Sequence, residues 1–369
     1  MPRDYNPLSL TTETSACWST VAIFPIAIVL LETFDTYLFP RIRSLKMKPI
    51  QYTRPLVLNP LPNKPDKLTS DRRAASDHDV CVSLGDRSYS IHIGKGLLDS
   101  ADVRLEVFVK DRHIVVFSDT HVAPIYLERL MSTLKPVSLG VDSVVVEAGE
   151  RSKSIDVCDR VWQQMLSFPA DRSSVVIALG GGVVGDLGGF IASTYGRGVD
   201  FIQIPTSLLA QVDSSVGGKV GVNLPHAKNM VGAFWQPKTV LIDTDVLSTL
   251  DHRNFSAGLA EVAKYGLIMD EPLFAFLEQS IEPILNHDSD VLAKMIAWCC
   301  RCKAQVVEED ETERSGRRAI LNYGHTFGHA IESVFGYGTF LHGEAIAIGM
   351  TCAGRLARQM GMVEQSFLD

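Results

Sequence analysis

The chain has 369 residues, 46% hydrophobic and 21% charged, with a net charge of −8 at neutral pH. That length allows two packed domains, and without a long basic patch nucleic acid is not an expected partner. A phosphorylated small molecule would have to be caught by local lysines and arginines.

Residues 1–78 read as an extension outside the fold. Val21–Leu31 is apolar but too short for a stable membrane span, Pro25 interrupts it, and Glu32 and Asp35 follow at once. From Thr36 to Pro65 there is no acidic residue, whereas Arg41, Arg43, Lys46, Lys48, Arg54 and Lys64 are present and prolines recur. Basic, acid-poor and unstructured is the composition of an organelle transit segment, which points to a plastid. A disordered tail of a cytoplasmic protein, or a misplaced gene start, would have the same composition.

From Val80 onward short β-rich runs alternate with helical ones. "RHIVVFSD", "DSVVVEAG" and "SSVVIALGGG" read as buried strands, with helical spacing in "APIYLERLMSTL" and "SKSIDVCDRVWQQMLS" between them. This alternation predicts an α/β, Rossmann-like, doubly wound parallel sheet over residues 79–250. After "PKTVLIDTDVLSTL" the strands stop, and residues 251–369 read as an all-helical domain. Seven cysteines are an odd number without framework spacing, which fits reduced thiols. Cys299, Cys300 and Cys302 lie in a helical stretch, where three such neighbours cannot turn onto one ion, and they read as structural thiols.

The turn "ALGGGVVGDLGGF" places Gly180, Gly182 and Gly185 in G-x-G-x-x-G spacing between a strand and a helix. Missing side chains let the backbone approach a pyrophosphate, and the helix N-terminus supplies N–H donors. The acid twenty residues on, Asp200, starts a strand and reads as a solvated edge residue. Asp119 and Glu150, just past earlier strands, or Asp186 within the turn, are better placed to hold a ribose. Glycine packing alone would also give such a turn.

"LNYGHTFGHAIE" sets His325 and His329 four apart on one helix face, good zinc spacing. "LHGEAIAIGM" adds His342 and Glu344, and "GLAEVAKYG" puts Glu261 and Lys264 on an otherwise apolar helix. Spacing alone selects His325, His329 and one carboxylate, although satisfied core histidines would look similar. Asp213, Lys219, Lys228 and Asn229 gather in a glycine-broken loop, Arg197 lies in "YGRG", and Lys303, Arg318 and Asn322 lie near the histidines. Convergent cations of this kind suit a phosphate and a carboxylate.

Six segments, "GGGVVGDLGGF", "IPTSLLAQVDSSVGGKVGVN", "KNMVGAFWQP", "GLAEVAKYG", "LNYGHTFGHAIE" and "LHGEAIAIGM", resemble 3-dehydroquinate synthase in order and spacing, from about Val80 to the C-terminus. The resemblance implies conversion of 3-deoxy-D-arabino-heptulosonate 7-phosphate to 3-dehydroquinate and phosphate, a step of the shikimate pathway. It implies bound NAD, one zinc or cobalt ion and a homodimer. It replaces the spacing-based choice with Glu261, His325 and His342 as metal ligands, and turns His329 toward the substrate. NAD would be held by Asp119, Glu150 and Lys153, by Gly182, Val183, Val184, Gly185 and Asp186 of the glycine turn, and by Thr206, Ser207, Lys219, Lys228 and Thr249. The substrate would meet Asp213, Lys219, Asn229, Lys264, Lys303, Arg318, Asn322 and His329, with Arg197 reaching the phosphate of the neighbouring subunit.

The implied chemistry is transient oxidation of a secondary alcohol by NAD, elimination of phosphate, return of the hydride, and ring closure by an aldol step. Two departures stand out. "DETERSGRR" is one residue longer than usual before Arg318, which leaves the place of Glu313 open. The family also continues for several helices beyond "RQMGMVEQSFLD", so the helical domain is expected to be C-terminally incomplete. The rival readings are a related sugar-phosphate cyclase acting on a substrate without the carboxylate, a polyol or glycerol dehydrogenase, and a truncated, inactive binding module.

Overall fold

A computed structural model describes residues 78–369, except 226, 337 and 369. The extension expected at 1–78, with its apolar stretch and basic segment, therefore lies outside the described residues apart from its last residue.

The strand–helix alternation unfolds in chain order as β1 (Val80–Val82), β2 (Tyr89–Gly94), α1 (Ala101–Val109), β3 (His113–Asp119), α2 (Ala123–Leu134) and β4 (Gly140–Val146). It continues as α3 (Ile155–Leu166), β5 (Val175–Gly180), α4 (Gly182–Thr194), β6 (Asp200–Pro205), β7 (Lys219–Leu224), β8 (Ala227–Phe234) and β9 (Thr239–Asp243). Every residue of β3, β5 and β9 is buried, as expected for strands covered by helices on both faces. Seven strands form one sheet in the order β1-β2-β9-β6-β5-β3-β4. All neighbours are parallel except β1 and β2, an antiparallel edge.

The chain leaves β3 toward β4 at one edge, returns to β5 beside β3, and then moves the other way to β6. That reversal opens a crevice at the carboxyl ends of β3 and β5, where open α/β sheets bind ligands. Asp119 ends one strand and Gly180 the other.

The "DSSVGGKVGVNLPHAKNM" segment, expected as a loop, instead contains the antiparallel hairpin β7–β8. Val220 and Val222 are buried on one face, and Gly221 between them is buried as well. Gly221 pairs with Gly232, and a Cβ on either would crowd the opposite backbone, so only glycine lets these strands close.

Beyond β9 the described residues form helices and short turns: α5 (His252–Ile268), α6 (Glu271–Leu285), α7 (Ser289–Glu309), α8 (His325–Phe335) and α9 (His342–Gln359). The aspartates Asp251, Asp270 and Asp288 cap the first three, each accepting a backbone N–H in the first turn. Asp270 also accepts the Trp298 indole N–H at 2.8 Å, which ties the start of α6 to α7.

Sheet and helices share a core. Val82, Ile91 and Val240 pack in one cluster with Phe255, Tyr265, Ile296 and Val307. Cys299, Cys300 and Cys302 are buried in the same cluster, and burial pushes the Cys300 and Cys302 thiols up to about 12. No helix among the described residues is long and apolar enough to cross a membrane.

Candidate active site

The glycine turn lies at the crevice. Each glycine has its own steric reason. A Cβ on Gly180 would overlap Val184, one on Gly185 would stand 2.9 Å from Gln203 Oε1, and one on Gly182 would stand 3.1 Å from Ser214 Oγ. Gly180 and Gly185 therefore serve the seating of α4 on the sheet, while Gly181 and Gly182 leave bare backbone at the helix N-terminus. The Thr206 N–H donates to Gly180 O at 3.0 Å, which holds the ends of β5 and β6 level. Asp119 Oδ1 is occupied by the N–H groups of His121 and Val122, both at 2.9 Å. Thr249 is tied to the Tyr126 hydroxyl at 2.7 Å.

Lys153, 3% exposed, donates to Asp186 Oδ2 at 2.7 Å and to Asn229 Oδ1 at 2.6 Å. Burial pushes the Asp186 carboxyl up, with Lys153 opposing. Asn223 carries the link outward: it donates to Glu150 Oε1 at 2.8 Å and accepts the Asn229 N–H at 2.9 Å. Asp200, by contrast, is held away from the turn by Arg112 at 2.7 Å and Lys238 at 3.3 Å.

Across the crevice is a cleft of about 500 Å³ between the hairpin and the helices. Lys219, Lys264, Lys303 and Arg318 line it, together with Asp213, Asn229, Asn322 and three histidines. Asp213 Oδ1 receives Lys303 Nζ and the Tyr265 hydroxyl, both at 2.9 Å. Burial alone would raise this carboxyl, but Lys303 and Lys264 outweigh it and hold it well below the usual range. Lys303 is itself pulled down by burial, with Asp213 opposing. Arg318 is 3% exposed, and Glu313 pairs with both Arg318 (3.6 Å) and Lys219. Glu313, whose place the longer loop left open, thus sits in the cleft wall, in the left-handed region at φ 59°.

At the helical end of the cleft, Glu261 is 1% exposed. Burial pushes its carboxyl up, and Lys264, one turn along, pairs with it. The Lys264 ammonium meets Oε2, while Oε1, which faces the histidines, has no hydrogen-bond partner among the described residues. His325 Nε2 and His342 Nε2 both approach Glu261 Oε1, at 3.9 and 4.0 Å, and the three ligand atoms lie within 4.8 Å of one another. A buried carboxylate oxygen with no hydrogen-bond partner among the described residues, met by two imidazole nitrogens, fits a divalent cation that takes nitrogen and oxygen ligands. His325 Nδ1 stands 3.3 Å from Tyr323 O, so the Nδ1–H donates and the Nε2 lone pair stays available. Burial pulls the His325 imidazole down to about 4, which keeps it neutral at physiological pH. The spacing-based pair His325 and His329 does not close around Glu261. His329 is exposed and groups with Glu332 and His342 instead.

Comparison with known proteins decides the family. The model of the 3-dehydroquinate synthase N-terminal region matches residues 143–257, and that of the C-terminal region matches residues 258–369. The 3-dehydroquinate synthase of Desulforamulus reducens is 52% identical over 286 residues, covering 78% of this chain and 79% of that protein. The chain belongs to the 3-dehydroquinate synthase family. The Halorhodospira halophila member is 52% identical over 288 residues, again covering 78% and 79% of the two chains. Among solved structures, 2-deoxy-scyllo-inosose synthase with carbaglucose-6-phosphate, NAD+ and Co2+ superposes with a TM-score of 0.73 at 29% identity, covering 78% and 77%. A Streptomyces hygroscopicus 2-epi-5-epi-valiolone synthase with NAD+ and Zn2+ reaches 0.70 at 29% identity, covering 78% and 79%. A glycerol dehydrogenase from Schizosaccharomyces pombe, 15% identical with a TM-score of 0.55, shares the fold.

Against the residues expected for a 3-dehydroquinate synthase, the structure brings the metal trio and the substrate group to one cleft, and the glycine turn, Lys153 and Asp186 to its sheet side. Arg197 is the exception. It is exposed on the turn after α4, at φ 73°, and does not line the cleft of its own chain. Lys228 lies between the two sides, 3.9 Å from Glu150 and 3.7 Å from Glu332. Sequence reasoning passed over Asn223, Tyr265 and Glu332. Glu332 had a signal, since it follows His329 by three residues and so shares its helix face. Tyr265 and Asn223 had none, because both act through partners distant in sequence.

Proposed function

We propose that this chain converts 3-deoxy-D-arabino-heptulosonate 7-phosphate to 3-dehydroquinate and phosphate, using NAD and one divalent ion, zinc or cobalt. The observation that carries the proposal is the meeting of the buried Glu261 carboxylate, His325 and His342 with the cationic group Lys219, Lys264, Lys303 and Arg318 at one cleft. Residues 79–250 bind the dinucleotide in this reading, and residues 251–369 supply the metal side.

When bound, the ion supplies Lewis acidity that eases loss of a hydroxyl proton, and NAD supplies a hydride acceptor regenerated in every cycle. Glu261, His325 and His342 would hold the ion. Gly182, Val183, Val184 and Gly185 present the bare helix N-terminus to the pyrophosphate, while Asp119, Glu150, Lys153, Asp186, Thr206, Ser207, Lys228 and Thr249 border the remainder of the dinucleotide. Lys303, locked to Asp213, keeps its ammonium fixed toward the cleft, so its charge needs no rearrangement as the phosphate leaves. Lys219 and Arg318 give up Glu313 to take the anionic groups, and Asn229 and Asn322 orient the hydroxyls. Burial, then His342, hold the His329 imidazole below its ordinary value, making it a neutral proton acceptor in the cleft.

Arg318 and Asn322 favour an acid substrate over the carboxylate-free substrates of related cyclases, because a carboxylate needs such partners. The chain acts as a homodimer in this reading, which gives the exposed Arg197 its task at the neighbouring subunit's phosphate. The basic, acid-poor leader suits delivery to a plastid, although the relatives compared above are bacterial.

Phosphate release by the purified chain, with the heptulosonate, NAD and zinc, tests the proposal. Release from the heptulosonate but not from a seven-carbon sugar phosphate lacking the carboxylate is expected. No release, with NAD binding intact, would leave an inactive module.

A further inference from the structure

Glu332 has no part in the cleft chemistry above, yet it is a carboxylate 5% exposed on the inner face of α8. Its surroundings are unusual. Oε2 has no hydrogen-bond partner among the described residues and stands 3.6 Å from His342 Nδ1, while Oε1 stands 3.7 Å from Lys228 Nζ. The His342 ring thus lies between two buried carboxylates, with Nδ1 toward Glu332 and Nε2 toward Glu261 at 4.0 Å. Close packing of α8 on α9 makes this possible. A Cβ on Gly328 would stand 2.7 Å from Ile346 Cδ1, and one on Gly349 would overlap Gly324 O.

A neutral imidazole carries one N–H, and whichever nitrogen keeps it cannot ligate. Glu261 and Glu332 therefore compete for that proton. A cation beside Glu261 repels an N–H, whereas Glu332 lacks a donor, so the proton belongs on Nδ1. Without a carboxylate there, the Nε2–H tautomer pointing at Glu261 would be favoured, and the ligand lone pair would face away from the site.

Resting on the metal reading above, we propose that Glu332 is a positioning residue of the metal site, which takes the Nδ1–H of His342 and so fixes both the tautomer and the orientation in which Nε2 meets the ion with Glu261 and His325. Its contact with Lys228 holds the carboxylate in place from the dinucleotide side.

The test is titration of Co2+ alone into the purified full chain, read by visible absorption and by chelator competition. Partners of this kind alter metal affinity by about 10–100-fold. Glu332→Leu is expected near the upper end of that range and Glu332→Gln, whose amide oxygen still accepts the N–H, near the lower end. His329→Ala is expected to bind Co2+ as the parent chain does. Parent-like affinity of Glu332→Leu overturns the inference. So does a loss in His329→Ala as large as that in Glu332→Leu, because Glu332 would then be a ligand in its own right, together with His329 and His342. If the Leu variant does not fold, parent-like affinity of Glu332→Gln overturns it equally. A parent chain that binds no Co2+ sinks the metal reading itself, a result distinct from the others.

Discussion

Gly343 rests directly on the backbone carbonyl of Ala257: a Cβ at Gly343 would overlap that oxygen. Ala257 lies one helical turn before Glu261 on α5, and Gly343 follows His342 on α9. This backbone contact lets α9 approach α5 closely beside the imidazole and the carboxylate. Because the obstacle is backbone, it has no side chain to swing away, so Gly343→Ala must displace α9. A cost of at least about 1–3 kcal/mol is expected from urea unfolding. A fall in metal affinity is expected with it. A variant that unfolds like the parent and binds metal equally would show that α9 has slack at this point.

His342→Ala removes the shared ligand while leaving the sheet untouched. Metal content and phosphate release are expected to vanish, with the dissociation constant for NAD within about twofold of the parent, below the tenfold that 1.4 kcal/mol represents. One metal per chain by elemental analysis would refute the ligand assignment.

Lys153→Met strips Asp186 and Asn229 of their common donor. Asp186, already pushed up by burial, rises further without its cation. NAD binding is expected to weaken by calorimetry while metal content stays at the parent level. Equal losses of both would mean that the two halves of the site are not separable.

Lys303 is pulled below the ordinary lysine value of 10.5, so its charge is lost as pH rises through that lowered value. Its partner Asp213, held well below the usual carboxylate range, stays ionised beside it. An alkaline fall in kcat/KM beginning below 10.5 is therefore expected. In stability the sign is opposite. Between the folded value and 10.5 the unfolded chain binds the extra proton, so this group's burial penalty at neutral pH lessens as pH rises. Lys303→Arg, slower overall, is expected to lose the alkaline fall, and a fall kept unchanged would assign it to another group.

Much of the sheet was legible in the sequence because its signals are local. The unbroken apolar runs of β3 and β5 and the glycines at 180–185 each act within a few residues. The hairpin β7–β8 was misread for the same reason. Its glycines look like loop punctuation until Gly221 is seen to face Gly232 across the pair.

What the chain order alone determined is the succession of strands and helices and the chemistry of the side chains along it. Tertiary structure decided which histidine joins Glu261. Spacing on one helix favours His329, yet that ring groups with Glu332 and His342, and the glycine-seated α9 brings His342 to Glu261 from a separate segment. Helix periodicity specifies a face, whereas the distance between two faces depends on the backbone approach of residues remote in sequence, here Gly343 on Ala257.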